Sequence, residues 1–321
     1  MSPELRVGQL WGIVLAAGEG TRVRSFLSEL CGGRGIKQFC AVLGGRSLLQ
    51  ATLDRVGRLI PRERILVVVS RHHREEVAQQ LAGWPAENII FQPEDRDTTA
   101  GILLPLAHVS HRDPIATAAI FPSDHFVLHE ERFMEAVRRG VREAQRFPWD
   151  LTLLGVRPDC PEDGYGWVMP GAADQDRETR AVRGFWEKPD PSQAQGLWRR
   201  GALWNTCVCV AASGTLWSMA RRVVPEVYEK FRPIRQALGT PAGARVTAQV
   251  YPTMPAVNFC SGVCEPLAAE LRVLPVSDVG WSAWGTAERI WATVRQLGKQ
   301  AEFSARLNRQ RGSWKPSSLG A

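Results

Sequence analysis

Short runs of consecutive apolar residues alternate along this chain with stretches in which apolar residues return every three or four positions. Residues 13–17, 65–69, 88–91, 116–121 and 151–156 are runs of the first kind. A strand that is apolar on both sides must be covered on both faces, so these runs predict a largely parallel sheet sandwiched between helices. The helical period fills the intervals. Ser47 and Gln50 form an S-x-x-Q capping box, and Leu48, Leu49, Leu53, Val56, Leu59 and Ile60 follow at helical spacing as far as Pro61. Segments 75–81, 99–109, 130–147, 213–237 and 286–297 carry the same period, and 271–276 reads as a late strand. The alternation predicts a doubly wound α/β architecture.

Beyond residue 156 the texture changes. Short strand-like pieces separated by turns, around Gly164, Tyr165, Gly166 and Trp167, then 185–189, then 203–206, suit a second lobe that completes a cleft, with no linker between the parts. The expected organisation is one domain over 1–302, with a nucleotide-binding part over roughly 10–150 and a further lobe over roughly 151–302, followed by a basic tail at 303–321 without fixed structure. Segment 26–36 contains Cys31, Gly32, Gly33, Arg34 and Gly35, a composition that predicts a mobile lid rather than a regular element.

In doubly wound sheets ligands gather beyond the carboxyl ends of the strands. Three polar segments follow apolar runs there: Gly18, Glu19, Gly20, Thr21 and Arg22 after the first, Gln92 after 88–91, and Ser123, Asp124 and His125 after 116–121. A glycine loop leaving a strand turns backbone N–H groups toward a phosphate. It is not a dinucleotide fingerprint, because Val23 stands where the third glycine belongs, and no Gly-Lys-Ser/Thr is present for a Walker loop. A triphosphate carries about four negative charges and needs fixed cations as well as backbone donors. Arg22 offers a planar fork and Lys37 a movable point charge. Asp124 is a plausible magnesium ligand, since Mg²⁺ binds one or two carboxylates together with phosphate oxygens. His125 has the chemistry of a second ligand or a base, although a histidine beside a loop is more often structural.

Composition narrows the picture only a little. The net charge is +7, but Arg306, Arg309, Arg311 and Lys315 in the tail supply +4 of it. A basic end rather than a nucleic-acid surface accounts for the balance, and nucleic acid is not the expected partner. The first apolar run is too short to span a bilayer and lacks a secretory leader pattern, so a cytoplasmic protein without a membrane partner is expected. The seven cysteines, among them Cys207, Cys209, Cys260 and Cys264, match no strong zinc spacing and read as buried reduced thiols. Nothing in the pattern assigns an oligomeric state.

Taken together, the segments 15–22, 37–39, 92–99, 121–125, 164–167, 187–189 and 204–206 resemble, in order, the motifs of the sugar-phosphate nucleotidyltransferases, most closely the mannose-1-phosphate guanylyltransferases. The resemblance covers roughly residues 10–295. It implies a Rossmann-like nucleotidyltransferase fold on a mixed, mostly parallel sheet. It also implies magnesium-dependent transfer of a nucleotidyl group from an NTP, GTP in the first instance, to a sugar 1-phosphate such as mannose 1-phosphate, with release of pyrophosphate. By the same resemblance Ala16, Ala17, Gly18, Gly20 and Thr21 hold the nucleotide, with Gln92, Thr98 and Thr99 toward base and ribose. Arg22 meets the departing pyrophosphate, Lys37 the α-phosphate, and Asp124 the metal. Gly166, Glu187 and Asn205 line the sugar, with Lys188 on its phosphate.

One departure concerns the metal. The family usually carries a second metal carboxylate in a Trp-Ser-Asp-x-Gly motif, and this chain has Trp281, Ser282, Ala283, Trp284 and Gly285. Alanine ligates nothing. A second reading therefore stands beside the first: a weakened or silent homologue that binds nucleotide or nucleotide-sugar as a regulatory subunit. Smaller departures are Ala17, Ser25, Ile36 and Asn258, where the family often has glycine, proline, proline and aspartate.

Overall fold

The computed structural model describes residues 7–313. Eleven strands are present among them: β1 (Leu10–Ala16), β2 (Ile65–Ser70), β3 (Ile89–Gln92), β4 (Thr117–Pro122), β5 (Phe126–Val127), β6 (Leu151–Val156), β7 (Gly166–Pro170), β8 (Arg180–Glu187), β9 (Leu203–Ala212), β10 (Leu271–Val276) and β11 (Trp281–Ser282). Nine form one sheet in the order β3-β2-β1-β4-β9-β6-β10-β8-β7, with β7 also pairing β9, while β5 and β11 form a separate ribbon. Pairs β1–β2, β1–β4, β2–β3 and β6–β10 are parallel. Only β8 and β9 run against the other strands of the large sheet. The sheet is thus mixed and mostly parallel, as expected, and the short-stranded lobe is built onto it rather than standing apart.

Alternate residues of β1 explain the two cores. Trp11 and Ile13 join a cluster on one face with Leu66, Val68, Ile120, Leu153 and Val273. Leu10, Val14 and Ala16 join another with Val67, Val69, Phe121, Leu154 and Val210. Period-two side chains from one buried strand feed both layers.

The helices are α1 (Arg24–Cys31), α2 (Leu48–Val56), α3 (Arg74–Gln80), α4 (Asp97–Arg112), α5 (Glu130–Arg146), α6 (Pro191–Arg199), α7 (Ser213–Val223), α8 (Pro225–Ala237), α9 (Gly243–Val250), α10 (Ala287–Gln296) and α11 (Gln300–Ser313). The capping box at Ser47 is formed, with the Gln50 N–H donating to Ser47 Oγ and the Ser47 N–H to Gln50 Oε1. The helical segment 213–237 divides into two helices after Val223, because Pro225 has no N–H to continue the ladder and instead starts α8.

Two expectations are corrected. Most of the lid segment is regular: residues up to Cys31 belong to α1, which buries Leu27 and Leu30, and the irregular part starts at Gly32. The basic tail is helical as far as Ser313, where α11 ends. Phe303 and Leu307 are buried in a third cluster with Leu27, Leu30, Val42, Trp284 and Val294. Arg306 donates to the carbonyls of Ala41 and Val42 at 2.8 and 2.7 Å. Residues 314–321, the rest of that tail, lie outside the described residues. No helix among those described is long and apolar enough to cross a membrane.

Candidate active site

Sheet order places the site. Strands β1 to β3 step to one side and β4 lies on the other, so the loops leaving β1 and β4 diverge, and a crevice opens at their carboxyl ends. A cavity of about 270 Å³ occupies it. Gly18, Gly20, Thr98, Asp124, Glu187 and Asn205 line it, drawn from five separate stretches of chain, together with Gln38 and His125.

The glycine loop is braced from behind. Gln38 is buried and its Nε2 donates to the carbonyls of Ala16 and Gly18, both at 2.8 Å. Gly20 has φ +58°, and a Cβ there would lie 2.9 Å from Cβ of Lys37. A left-handed backbone in contact with a neighbouring side chain requires glycine. This close approach seats Lys37 under the loop. Ala17 is half-buried, and Thr21 and Arg22 are exposed at the loop's outer end. The Arg22 guanidinium lies beside Gly164 and Gly285, bridging the loop and the far lobe.

Lys37 is the junction of the site. It is 5% exposed, and its ammonium donates to Asp124 Oδ2 at 2.8 Å and to the Ala283 carbonyl. Burial raises the Asp124 carboxyl, but the Lys37 ammonium and the other groups around it outweigh this and hold it at about 2. Burial pushes His125 down to about 4, so its imidazole is neutral near pH 7. His125 Nε2 is 3.6 Å from Asp124 Oδ1, its Nδ1 is buried without a partner, and its ring meets Trp281 edge-on at 5.2 Å.

Aromatic packing delivers Ala283 to this point. Trp281 contacts Tyr165 and Trp204, and the β5–β11 ribbon pairs it with Val127 just beyond His125. Trp284 stacks on Phe126 at 4.9 Å. Position 283 therefore sits beside Lys37 even though its side chain carries no ligand atom. Among the described residues no group of three His, Cys, Asp or Glu side chains is arranged to hold a metal ion.

At the far end, Gly166 and Glu187 are paired across β7 and β8, and Asn205 lies on β9. A Cβ on Gly166 would sit 2.8 Å from Glu187 Oε2 and 3.2 Å from Asn205 Cβ. Glycine is thus what lets the two polar side chains converge. Glu187 Oε2 is buried and has no hydrogen-bond partner, while Oε1 is 3.4 Å from the half-exposed Lys188 ammonium. An unpartnered buried carboxylate oxygen is costly unless a ligand donor meets it.

Two expected positions face elsewhere. Gln92 is buried and donates to the Tyr251 hydroxyl at 2.6 Å, outside the cavity wall. Thr99 is buried behind Thr98, whose hydroxyl accepts from the Phe259 N–H at 2.7 Å. The bracing role of Gln38 and the sulfur lining from Cys207, Cys209, Cys260 and Cys264 were missed. For Gln38 the signal was its place between Lys37 and Phe39; for the cysteines nothing local pointed into the cavity.

The site thus joins a glycine loop after β1, a buried cation beneath it and a polar lobe opposite, on a Rossmann-like sheet. The family described as nucleotidyl transferase matches residues 11–299, and the chain belongs to that family. Among curated relatives, mannose-1-phosphate guanylyltransferase of Escherichia coli K12 is 28% identical over 294 residues, 88% of this chain and 59% of the relative. Mannose-1-phosphate guanylyltransferase ManC of Salmonella typhimurium is 29% identical over 298 residues, 89% of this chain and 60% of that one. The chain thus spans about 60% of the length of these relatives. A solved structure described as mannose-1-phosphate geranyltransferase from Thermus thermophilus matches with a TM-score of 0.76 at 28% identity, covering 91% of this chain and 80% of that one.

Proposed function

We propose that this chain transfers a nucleotidyl group from an NTP, GTP in the first instance, to a sugar 1-phosphate, mannose 1-phosphate in the first instance, releasing pyrophosphate. The observation that carries the reading is the lining of one cavity: the glycine loop and Asp124, which the buried Lys37 holds from behind, together with Glu187 and Asn205. The names of the relatives support the choice of GTP and mannose 1-phosphate.

In this reading the phosphate oxygen of the sugar attacks the α-phosphorus in line, so alignment and charge neutralisation supply the catalysis and no covalent nucleophile is required. Lys37 places an ammonium at the α-phosphate, and its bond to the Ala283 carbonyl directs that charge. Arg22 grips the leaving pyrophosphate. Loop 16–21 holds the nucleotide, with Thr98 on its ribose side. Glu187 Oε2 accepts a sugar hydroxyl, Asn205 and Gly166 shape the sugar side, and Lys188 takes the sugar's phosphate. The donor set fits magnesium carried in by the phosphates: Asp124 is a partly buried carboxylate that lines the cavity and would be its protein ligand. When bound, that ion would offset phosphate charge.

Incubation with magnesium and a panel of NTPs and sugar 1-phosphates, followed by pyrophosphate assay, tests the reading. Release with GTP and mannose 1-phosphate is expected, and no release with any pair overturns it.

The alanine at 283, beside Lys37 and Asp124, favours a second reading, a weakened or silent homologue that binds nucleotide or nucleotide-sugar as a regulatory subunit. Ala283→Asp separates the two. A gain on the order of 100-fold in turnover identifies a centre weakened by the missing carboxylate, whereas normal wild-type turnover with no gain dismisses the second reading.

A further inference from the structure

Four of the seven cysteines line the cavity already described, and two of them face each other. The sulfurs of Cys207 and Cys260 are 3.9 Å apart. The Asn205 amide lies between them, its Nδ2 donating to Cys207 Sγ at 3.6 Å and to Cys260 Sγ at 3.5 Å.

The backbone is shaped to make this meeting. Leu153 and Gly155 of β6 pair with Cys209 and Asn205 of β9, so one intervening residue opposes three and β9 bulges. Bulges beside active sites re-aim side chains. Here the bulge carries Cys207 into the open, the single exposed residue of β9. Its φ is +55°, a conformation that is costly for a non-glycine residue and persists only where the surroundings enforce it. Opposite it, Cys260 is buried at the start of the turn Cys260–Cys264, with its N–H bound to Asn258 Oδ1 at 2.9 Å. The hydrogen bond with Cys207, and then burial, push the Cys260 thiol well up.

We propose that Cys207 and Cys260 form a dithiol site in the wall of the cavity that reacts with low-molecular-weight disulfides and closes to an intramolecular disulfide. Cys207, the accessible sulfur, gives its proton to water and attacks one sulfur of the small disulfide. The S–S bond breaks, one small thiolate leaves with the bonding pair and is protonated, and Cys207 is left as a mixed disulfide. Cys260 attacks Cys207 Sγ as its proton passes to the departing small thiolate, so the mixed disulfide breaks and the second small thiol leaves. Two protein thiols are oxidised by two electrons, and one small disulfide is reduced to two thiols. The gap must close from 3.9 Å to about 2 Å for the bond to form.

The chemistry of the pair does not depend on the nucleotidyl-transfer reading, because its product is read by mass. The full chain is treated with glutathione disulfide, the remaining thiols are alkylated, and the peptides are mapped. The expected product joins Cys207 to Cys260, removes two alkylatable thiols and is reversed by dithiothreitol. Cys260→Ser should accumulate a glutathione adduct at Cys207, and Cys207→Ser should form neither product. Full alkylation of both Cys207 and Cys260 in the treated wild-type chain overturns the proposal. The wild-type map decides the matter even if a variant fails to fold.

Discussion

Lys37 has two partners remote from it in sequence, Asp124 and Ala283, and neither could be assigned from its neighbours in the chain. Its replacement by methionine keeps most of the stem and removes the charge. Turnover in the pyrophosphate assay should fall by about 100-fold or more, the scale of losing one preorganised electrostatic contact, with the far-ultraviolet circular dichroism unchanged. Gly166 makes a different kind of prediction. Because a Cβ there meets Glu187 Oε2 at 2.8 Å, Gly166→Ala should raise KM for the sugar phosphate by roughly tenfold while leaving KM for the NTP near its wild-type value. Steady-state titration of each substrate separates the two. These residues were visible as motif members because glycine, lysine and carboxylate each have a chemical signature. Gln92 shows the limit: its amide is spent on the Tyr251 hydroxyl, 159 residues away, and no local pattern encodes that.

Among elements, α11 departs most from its expected character. Its charge pattern reads as a frayed basic end, and its amphipathicity is poor. What holds it is a few large contacts. Phe303 meets Trp291 edge-on at 4.8 Å and Phe26 at 6.3 Å, and Arg306 ties the helix to the Ala41 and Val42 carbonyls. Phe303→Ala should cost about 3 kcal/mol or more, read as a lower urea midpoint with an unchanged m-value. An unchanged midpoint would mean that α11 does not pack on α1 and α10 in solution. The break between α7 and α8 belongs to the same scale, and there a local signal was present in Pro225.

The whole molecule is held by a sheet whose buried strands were legible as apolar runs, and its acid response follows from what that burial does to polar groups. Burial lowers His125 and His108 to about 4 from the ordinary 6.5. Between those values the unfolded chain binds protons that the folded chain refuses, so stability should fall as pH drops from about 6.5 to about 4, by at most about 3 kcal/mol for each histidine. Asp124 acts in a lower window. Its carboxyl is depressed from 3.8 to about 2, so its contribution is present above about pH 4 and is lost as pH falls toward 2. Urea unfolding at pH 7 and pH 4.5 checks the first window, and His108→Leu should flatten part of the slope. The sequence by itself determined the parallel-sheet core, the glycine loop, the carboxylate after β4 and the order of the motifs, because periodicity and short polar turns are local properties of the chain. Only the tertiary structure decided that Ala283 lies against Lys37, that Gln92 faces away, that Phe303 anchors α11, and that Cys207 and Cys260 meet across one amide. Those are contacts between residues 53 to 277 positions apart, set by strand order, bulging and packing, which no window along the chain contains.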